Sequence, residues 1–563
     1  MSIRDFGTQP HLTSPKRGGK YILLLVGLVF FGSYFYLHGS EALADLRTGV
    51  SHNIISNQPD EMANYFFIKE LVIAHSFGWY EPLNEIVSSQ VHARSMTVIN
   101  ARLEPIGFPF FIVLVSVFAF VPTMIFGTSF FNILVISLVP LLAVASNFLL
   151  YEMVRRVWSE RVALISSILL FLLPSWWYWA SRPFQHVVPF IFFVLLGLYG
   201  LLRIEGANDV REKWCYTVVS ALGISCALAI RPTELIWVVG LYGYIVYLIR
   251  AQISKQQIIV WSGAVAFVAL LFFVVQDAFY GSPFASGYVK PSAEGVAGSV
   301  LAGGQGVSFF RAFFFPFGID IMTAVKTVYH YFFLLFNSWV LWAFVSFLFI
   351  LARGEKTIRK YSVVYFILSV YLVLWYGSWS FSDNLLGVPS VGSSQARYFM
   401  PIYIGMVPLI AYFCDRILIT FSRTRQILAI SVLLLVFSLA SHSAVFQSLP
   451  EGLVTIKHTL RGNVEKQVDI YTHVPEYGLV VTRYGDKYLF PGRKVMIRTE
   501  ETIWAYSVKQ LLEIGMPVWW YDLELKSEEQ EELDELLRTH GLVLGEVVAG
   551  TDNLQLREIG LKK

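Results

Sequence analysis

The chain has 563 residues, of which 55% are hydrophobic and only 15% charged, with a formal net charge of +3 and a mean hydropathy of +0.57. Soluble domains carry about a quarter charged residues, so a water-soluble globular protein is excluded and a polytopic membrane protein is implied. Three cysteines, Cys215, Cys226 and Cys414, fall in or beside apolar runs and form neither a disulfide framework nor a metal site. Lys16, Arg17 and Lys20 precede the first apolar run, Tyr21 to Leu37. No small-x-small cleavage site follows it, so it reads as a retained first helix rather than a signal peptide.

Eleven spans are predicted: 21–38, 128–151, 161–180, 187–203, 214–231, 233–249, 257–277, 328–352, 361–378, 398–415 and 426–446. Each is near the length that crosses about 30 Å of hydrocarbon as a helix. Basic clusters follow at alternate ends: Arg155, Arg156 and Arg161; Arg203, Arg211 and Lys213; Arg250 and Lys255; Arg353, Lys356, Arg359 and Lys360; Arg416, Arg423 and Arg425. With a cytoplasmic N-terminus, every cluster falls inside. The apolar segment Pro105 to Thr123 breaks this count, because crossing there would move all later clusters outside. The expectation is that it enters without crossing or lies along the outer interface, and Pro105, Pro109 and Pro122 argue against a straight crossing helix.

The outer side then holds loop 39–105, loop 278–327, loop 379–397 and everything after 447. Loop 278–327 is rich in glycine and serine, which predicts a mobile segment. Its Gly303-Gly304-Gln305-Gly306 run has neither a preceding strand nor a Lys-Ser/Thr, so it is not read as a phosphate loop. Beyond 450, the stretches 478–484, 494–498 and 517–521 read as strands, and 502–514 and 527–540 as amphipathic helices. The expected organisation is a cytoplasmic N-terminus 1–20, a helical membrane domain 21–447 whose outer loop 39–127 carries juxtamembrane helices, and a small extracytoplasmic α/β domain 448–563.

Two acids, Asp60 and Glu61, stand in the first outer loop after Pro59. An acid near lipid is costly unless water, a cation or chemistry occupies it. Such an acid can deprotonate a hydroxyl nucleophile, bind a divalent ion or carry protons; the plainer alternative is capping of the helix that follows. Arg102, Arg182, Arg231 and Arg397 all fall at outer ends of segments, where positive charge is not favoured for orientation. Guanidiniums gathered around one cavity suit a phosphate, held bidentately; the alternative is interfacial snorkelling or pairing with Asp60, Glu104 or Glu234. A phosphate at a membrane interface suggests a lipid phosphate. An acid opposite it suggests attack of an acceptor hydroxyl on a lipid-phosphate-linked sugar, with inversion.

These features resemble the GT-C superfamily of integral-membrane glycosyltransferases, which includes protein O-mannosyltransferases and the aminoarabinose transferase of lipid A. The resemblance covers about residues 20–450. It is carried by Pro59-Asp60-Glu61 with Tyr65, Glu104-Pro105-Ile106-Gly107-Phe108-Pro109, Ala229-Ile230-Arg231-Pro232-Thr233, Asp277 to Pro283 reaching Gly287-Tyr288, and Arg397-Tyr398. The basic residue that neighbours the proline motif in that family is matched here only by Arg102. The resemblance implies Asp60, with Glu61 beside it, as the catalytic acid/base. It also implies a polyprenyl-phosphate sugar donor and an outward cavity, which Tyr65, His92, Glu104, Tyr288 and Tyr398 are expected to line. No cofactor or metal is expected, because the sequon-binding signature of the metal-dependent oligosaccharyl branch is missing. Expected partners are the donor, a glycan, lipid or protein acceptor, and membrane lipid, with no nucleic acid. No Asn-x-Ser/Thr sequon occurs, which favours a bacterial inner membrane. Three other readings remain: a transporter or flippase of lipid-linked sugars, a polysaccharide polymerase and a scaffold. A transporter is expected to place ionisable groups near the midplane, often in broken paired helices.

Overall fold

The computed structural model describes residues 18–107, 109–207, 209–285, 287, 318–379, 381, 388–499, 502–550 and 553–562. Chain contacts divide it into two units, one of residues 1–40, 136–272 and 292–455, the other of residues 41–135, 273–291 and 456–563.

All eleven predicted spans have helical counterparts. Eight are unbroken helices: Thr128–Val157, Val187–Ile204, Val210–Ile230, Pro232–Gln252, Lys255–Tyr280, Lys356–Gly377, Met400–Leu418 and Arg423–Gln447. Three are bent pairs, among them Glu160–Leu172 with Pro174–Ala180 (60°) and Ile321–Leu334 with Asn337–Arg353 (100°). The protein is a multi-pass membrane protein. Lys255–Tyr280 shows why lipid is required: Phe267, Leu270 and Val274 are each more than half exposed, an apolar surface that water does not tolerate. Pro109–Phe126 is also an unbroken apolar helix of 18 residues. The proline argument against it needs correction. Pro105 lies in the preceding strand and Pro109 opens the helix, where a missing N–H costs nothing, so only Pro122 falls inside.

Prolines also place charge in the first unit. The break before Pro174 turns the chain into the short helix Pro174–Ala180, and Arg182 follows it, itself before Pro183. Helix Val210–Ile230 ends at Arg231 (φ −139°, ψ 81°), because the residue before Pro232 is driven out of the helical region. Helices Val187–Ile204 and Val210–Ile230 pack backbone to backbone. A Cβ on Gly200 would stand 2.7 Å from the Ser220 nitrogen, and one on Gly223 would run into Gly197.

The second unit contains two sheets. Strands β1 (Trp79–Tyr80), β2 (Met96–Ile99) and β3 (Arg102–Pro105) form an antiparallel sheet of order β1-β3-β2. Strands β4 (Leu479–Thr482), β5 (Lys494–Ile497), β6 (Val518–Leu523), β7 (Leu542–Ala549) and β8 (Leu554–Leu561) form a sheet of order β5-β4-β6-β8-β7. Strand β4 pairs in parallel with β5 and β6, while β8 runs antiparallel to both β6 and β7. The three predicted strands and two predicted helices of the tail are present; β7 and β8 were not foreseen.

The core of the larger sheet is completed by the first loop. Val87 and Val91 pack with Leu479, Val481, Met496, Trp504 and Trp520, and Val91 forms a β-bridge to Met496. Trp504 is 1% exposed, with its rings 5.8 Å from Trp520. Trp504→Ala leaves a cavity there and is expected to cost about 3–5 kcal/mol, read as an earlier thermal unfolding transition in detergent.

Candidate active site

In the first unit, Arg182, Arg231 and Arg397 are all buried. Arg231 Nη2 lies 2.7 Å from Glu234 Oε1, one turn further along the chain. The same oxygen accepts the Tyr376 hydroxyl at 2.7 Å, and Glu234 Oε2 accepts the Trp237 indole N–H. Arg231 faces the rings of Phe190 and Tyr398, and Arg397 faces Tyr398 and Trp179. Tyr398 in turn stacks on Tyr376, with centroids 4.4 Å apart and planes 5° from parallel. Arg397 Nη1 donates to Gln185 Oε1 (2.7 Å) and Nη2 to Ser394 Oγ (3.1 Å), while Arg182 Nη1 donates to Tyr178 Oη (2.9 Å). Burial, then the charges of Arg231 and Arg397, hold the His186 imidazole well below the usual histidine range.

Within this cluster of three buried guanidiniums, Glu234 is bonded to Arg231. A buried guanidinium needs its N–H donors met, and the Nε of Arg231 has no hydrogen-bond partner among the described residues. The cluster suits a bound anion with several oxygens. Beside it runs an apolar groove of about 290 Å³. Trp237, Leu241, Tyr244, Ile245 and Leu248 line it along one helix, a run of about 16 Å at 1.5 Å per residue.

In the second unit, Asp60 and Glu61 occupy the first turn of helix Pro59–Lys69. The N-cap is Gln58 and makes no side-chain cap, with Pro59 in the first turn. The two acids separate: Asp60 is exposed, and Glu61 is 1% exposed. Asp60 Oδ1 accepts the Ser95 hydroxyl at 2.5 Å. Tyr65 donates to Asn132 Oδ1 (2.9 Å), and Asn132 donates to the buried Asp45, which also binds His52 Nδ1 at 2.7 Å. Tyr65 lines a small cavity of about 20 Å³ with Lys69 and Lys487. His92 Nδ1 lies 2.9 Å from the Ala93 carbonyl. Tyr280 donates to the carbonyls of Pro105 and Gly107, and Gly287 abuts Ile106 so closely that a Cβ would collide. Two stretches that carry the resemblance therefore touch. Tyr288 lies outside the described residues.

Of the four predicted arginines, Arg182, Arg231 and Arg397 share the first unit's cluster. Arg102 belongs to the second unit and sits 3.5 Å from Glu104. The pairing alternative is thus realised for Arg231 with Glu234 and for Arg102 with Glu104. Gln185, His186, Tyr376 and Ser95 were missed; the first two follow Arg182-Pro183 directly, a neighbourhood that could have flagged them. Among the described residues, no group of three His, Cys, Asp or Glu side chains is gathered as a metal site.

No protein-family profile matches the sequence, and no curated protein matches it. Solved structures do. ArnT from Cupriavidus metallidurans in the apo state aligns over 97% of this chain and 98% of its own, with 12% identity and a TM-score of 0.54. The same protein bound to undecaprenyl phosphate aligns over the same shares, with 13% identity and a TM-score of 0.52. This chain has the GT-C fold. At that identity the likeness establishes the GT-C architecture and not the reaction.

Glu104 adds a pH-dependent contribution. It is 1% exposed, its Oε2 has no hydrogen-bond partner among the described residues, and burial, opposed by Arg102, raises its pKa to about 8. The folded state therefore holds a proton that the unfolded carboxyl releases near pH 4.5. Stability from this group is fully present below that point and is lost as pH rises through about 8. Glu104→Gln mimics the neutral form. Between pH 5 and 8.5, the Tm of the wild type should fall more than that of the variant; parallel falls would contradict the assignment.

Proposed function

We propose that the protein is an inverting membrane glycosyltransferase. It moves a sugar from a polyprenyl-phosphate donor to an acceptor hydroxyl on the extracytoplasmic face of an inner membrane, with the N-terminus cytoplasmic. The reading is carried by one observation, the buried cluster of three guanidiniums, Arg182, Arg231 and Arg397, beside a groove suited to an aliphatic chain. Clustered guanidinium donors next to an apolar trough are the complement of a lipid phosphate. The structurally similar ArnT binds undecaprenyl phosphate, which supports the same class of ligand here.

In this mechanism the Asp60 carboxylate takes the proton of the acceptor hydroxyl. That oxygen attacks the anomeric carbon opposite the phosphate, the bond from carbon to phosphate oxygen breaks, and its electron pair leaves on the polyprenyl phosphate. The guanidiniums stabilise the charge gathering on the phosphate oxygens. The general-base role is assigned to Asp60 alone, because Glu61 is buried. Arg102 is left to its partner Glu104. A proton-coupled transporter is less well supported, because two of the three bent pairs, with breaks at Leu173 and at Leu335-Phe336, have no acidic residue beside the break; the third, between Tyr34 and Gly39, has Glu41 just beyond it.

The test is transfer from a panel of polyprenyl-phosphate sugars by purified protein. Asp60→Asn should lose about 10²–10⁴-fold in rate while still binding the lipid. Transfer at the wild-type rate by that variant would sink the general-base assignment.

A further inference from the structure

Asp60 is held by a residue whose own backbone is held from the far end of the chain. Asp486, fully buried at the start of the short helix Asp486–Leu489, receives four hydrogen bonds from Arg94. The Arg94 backbone N–H reaches Oδ2 at 2.8 Å, Nε reaches both oxygens at 3.0 and 3.1 Å, and Nη2 reaches Oδ1 at 2.6 Å. Nη2 also donates to the Tyr484 carbonyl (3.3 Å), and the guanidinium faces the Tyr484 ring. Arg94 and Asp486 are 392 positions apart. The next residue, Ser95, adopts φ +60°, a left-handed conformation that a non-glycine residue takes at a cost. From there its hydroxyl donates to Asp60 and its carbonyl accepts the Ile106 N–H at 3.0 Å. A second tie runs in parallel, from Lys494 Nζ to Glu81 Oε2 at 2.5 Å.

We infer that the C-terminal domain positions the proposed base: Asp486, through the Arg94 fork, holds Ser95 in its strained conformation so that its hydroxyl orients the Asp60 carboxylate. Asp486 and Arg94 are positioning residues, since neither touches Asp60. The inference rests on Asp60 being the general base. A backbone fastened at residue 94 by side-chain and main-chain bonds to one buried carboxylate leaves residue 95 little rotational choice. A free loop would let Ser95 relax to negative φ and swing its hydroxyl away. Displacing a catalytic group by about 1 Å can cost about 100-fold in rate.

The experiment compares Ser95→Ala, Asp486→Asn, the double variant, Arg94→Lys and Asp60→Asn in full-length protein, with rates normalised to the folded fraction. Ser95→Ala and Asp486→Asn should each lower kcat about 10-fold or more with the donor KM unchanged, and the double variant should lose no more than the worse single. Arg94→Lys keeps the charge but not the fork and should behave like Asp486→Asn. Hydrogen exchange over residues 91–106 should accelerate in Asp486→Asn, a readout independent of activity and usable even if that variant is poorly active. Unchanged kcat in Asp486→Asn, losses that multiply in the double variant, or unaltered exchange would overturn the inference. Full transfer by Asp60→Asn would instead overturn the general-base reading, leaving the Asp486–Arg94 tie a matter of folding alone.

Discussion

The arrangement depends on the price of buried positive charge. Arg182, Arg231 and Arg397 are held out of solvent, with Glu234 bonded to Arg231. Aromatic faces ease the burial: Phe190, Tyr398 and Trp179 offer ring electrons to the guanidiniums, and Tyr376 and Trp237 donate to Glu234 so that its lone pairs are also met. Two Arg-Pro steps make the arrangement possible, since each ends a helical stretch where the guanidinium is needed.

The second unit solves a different problem. An exposed carboxylate such as Asp60, in the first turn of helix Pro59–Lys69, needs a partner to fix its direction. Here the loop carrying Asp60 is built into the core of a sheet from the other end of the sequence, through Val87 and Val91, and fastened there by Arg94 and Asp486. The C-terminal segment, for which the sequence offered no readable role, thereby becomes part of the scaffold of the proposed base. Glu104 is buried in this unit beside its partner Arg102, 3.5 Å away, and burial outweighs that pairing, raising its pKa to about 8.

Much of the helical architecture is legible in the sequence, because a membrane span announces itself by sustained apolarity over a length fixed by the bilayer. The arginines are legible for a related reason: a charge at the end of such a run is conspicuous, and Glu234, three residues from Arg231, is the natural partner. What could not be read are pairings set by tertiary contact. Strands β1 to β3 are two to four residues long, too short for an alternating pattern to register. Strands β7 and β8 carry exposed positions among their apolar ones, which blurs the period. Ser95 and Arg94 sit in an ordinary polar stretch, and nothing local connects them to a carboxylate 392 positions away.

The central claim is that the buried guanidiniums exist to hold a lipid phosphate. Equilibrium binding of a polyprenyl phosphate and of the polyprenol of equal chain length to the purified protein in detergent tests it most directly. The account predicts strong preference for the phosphate in the wild type and loss of that preference in Arg397→Lys, which keeps the charge but cannot fork. Equal affinity for the alcohol and the phosphate in the wild type would contradict it.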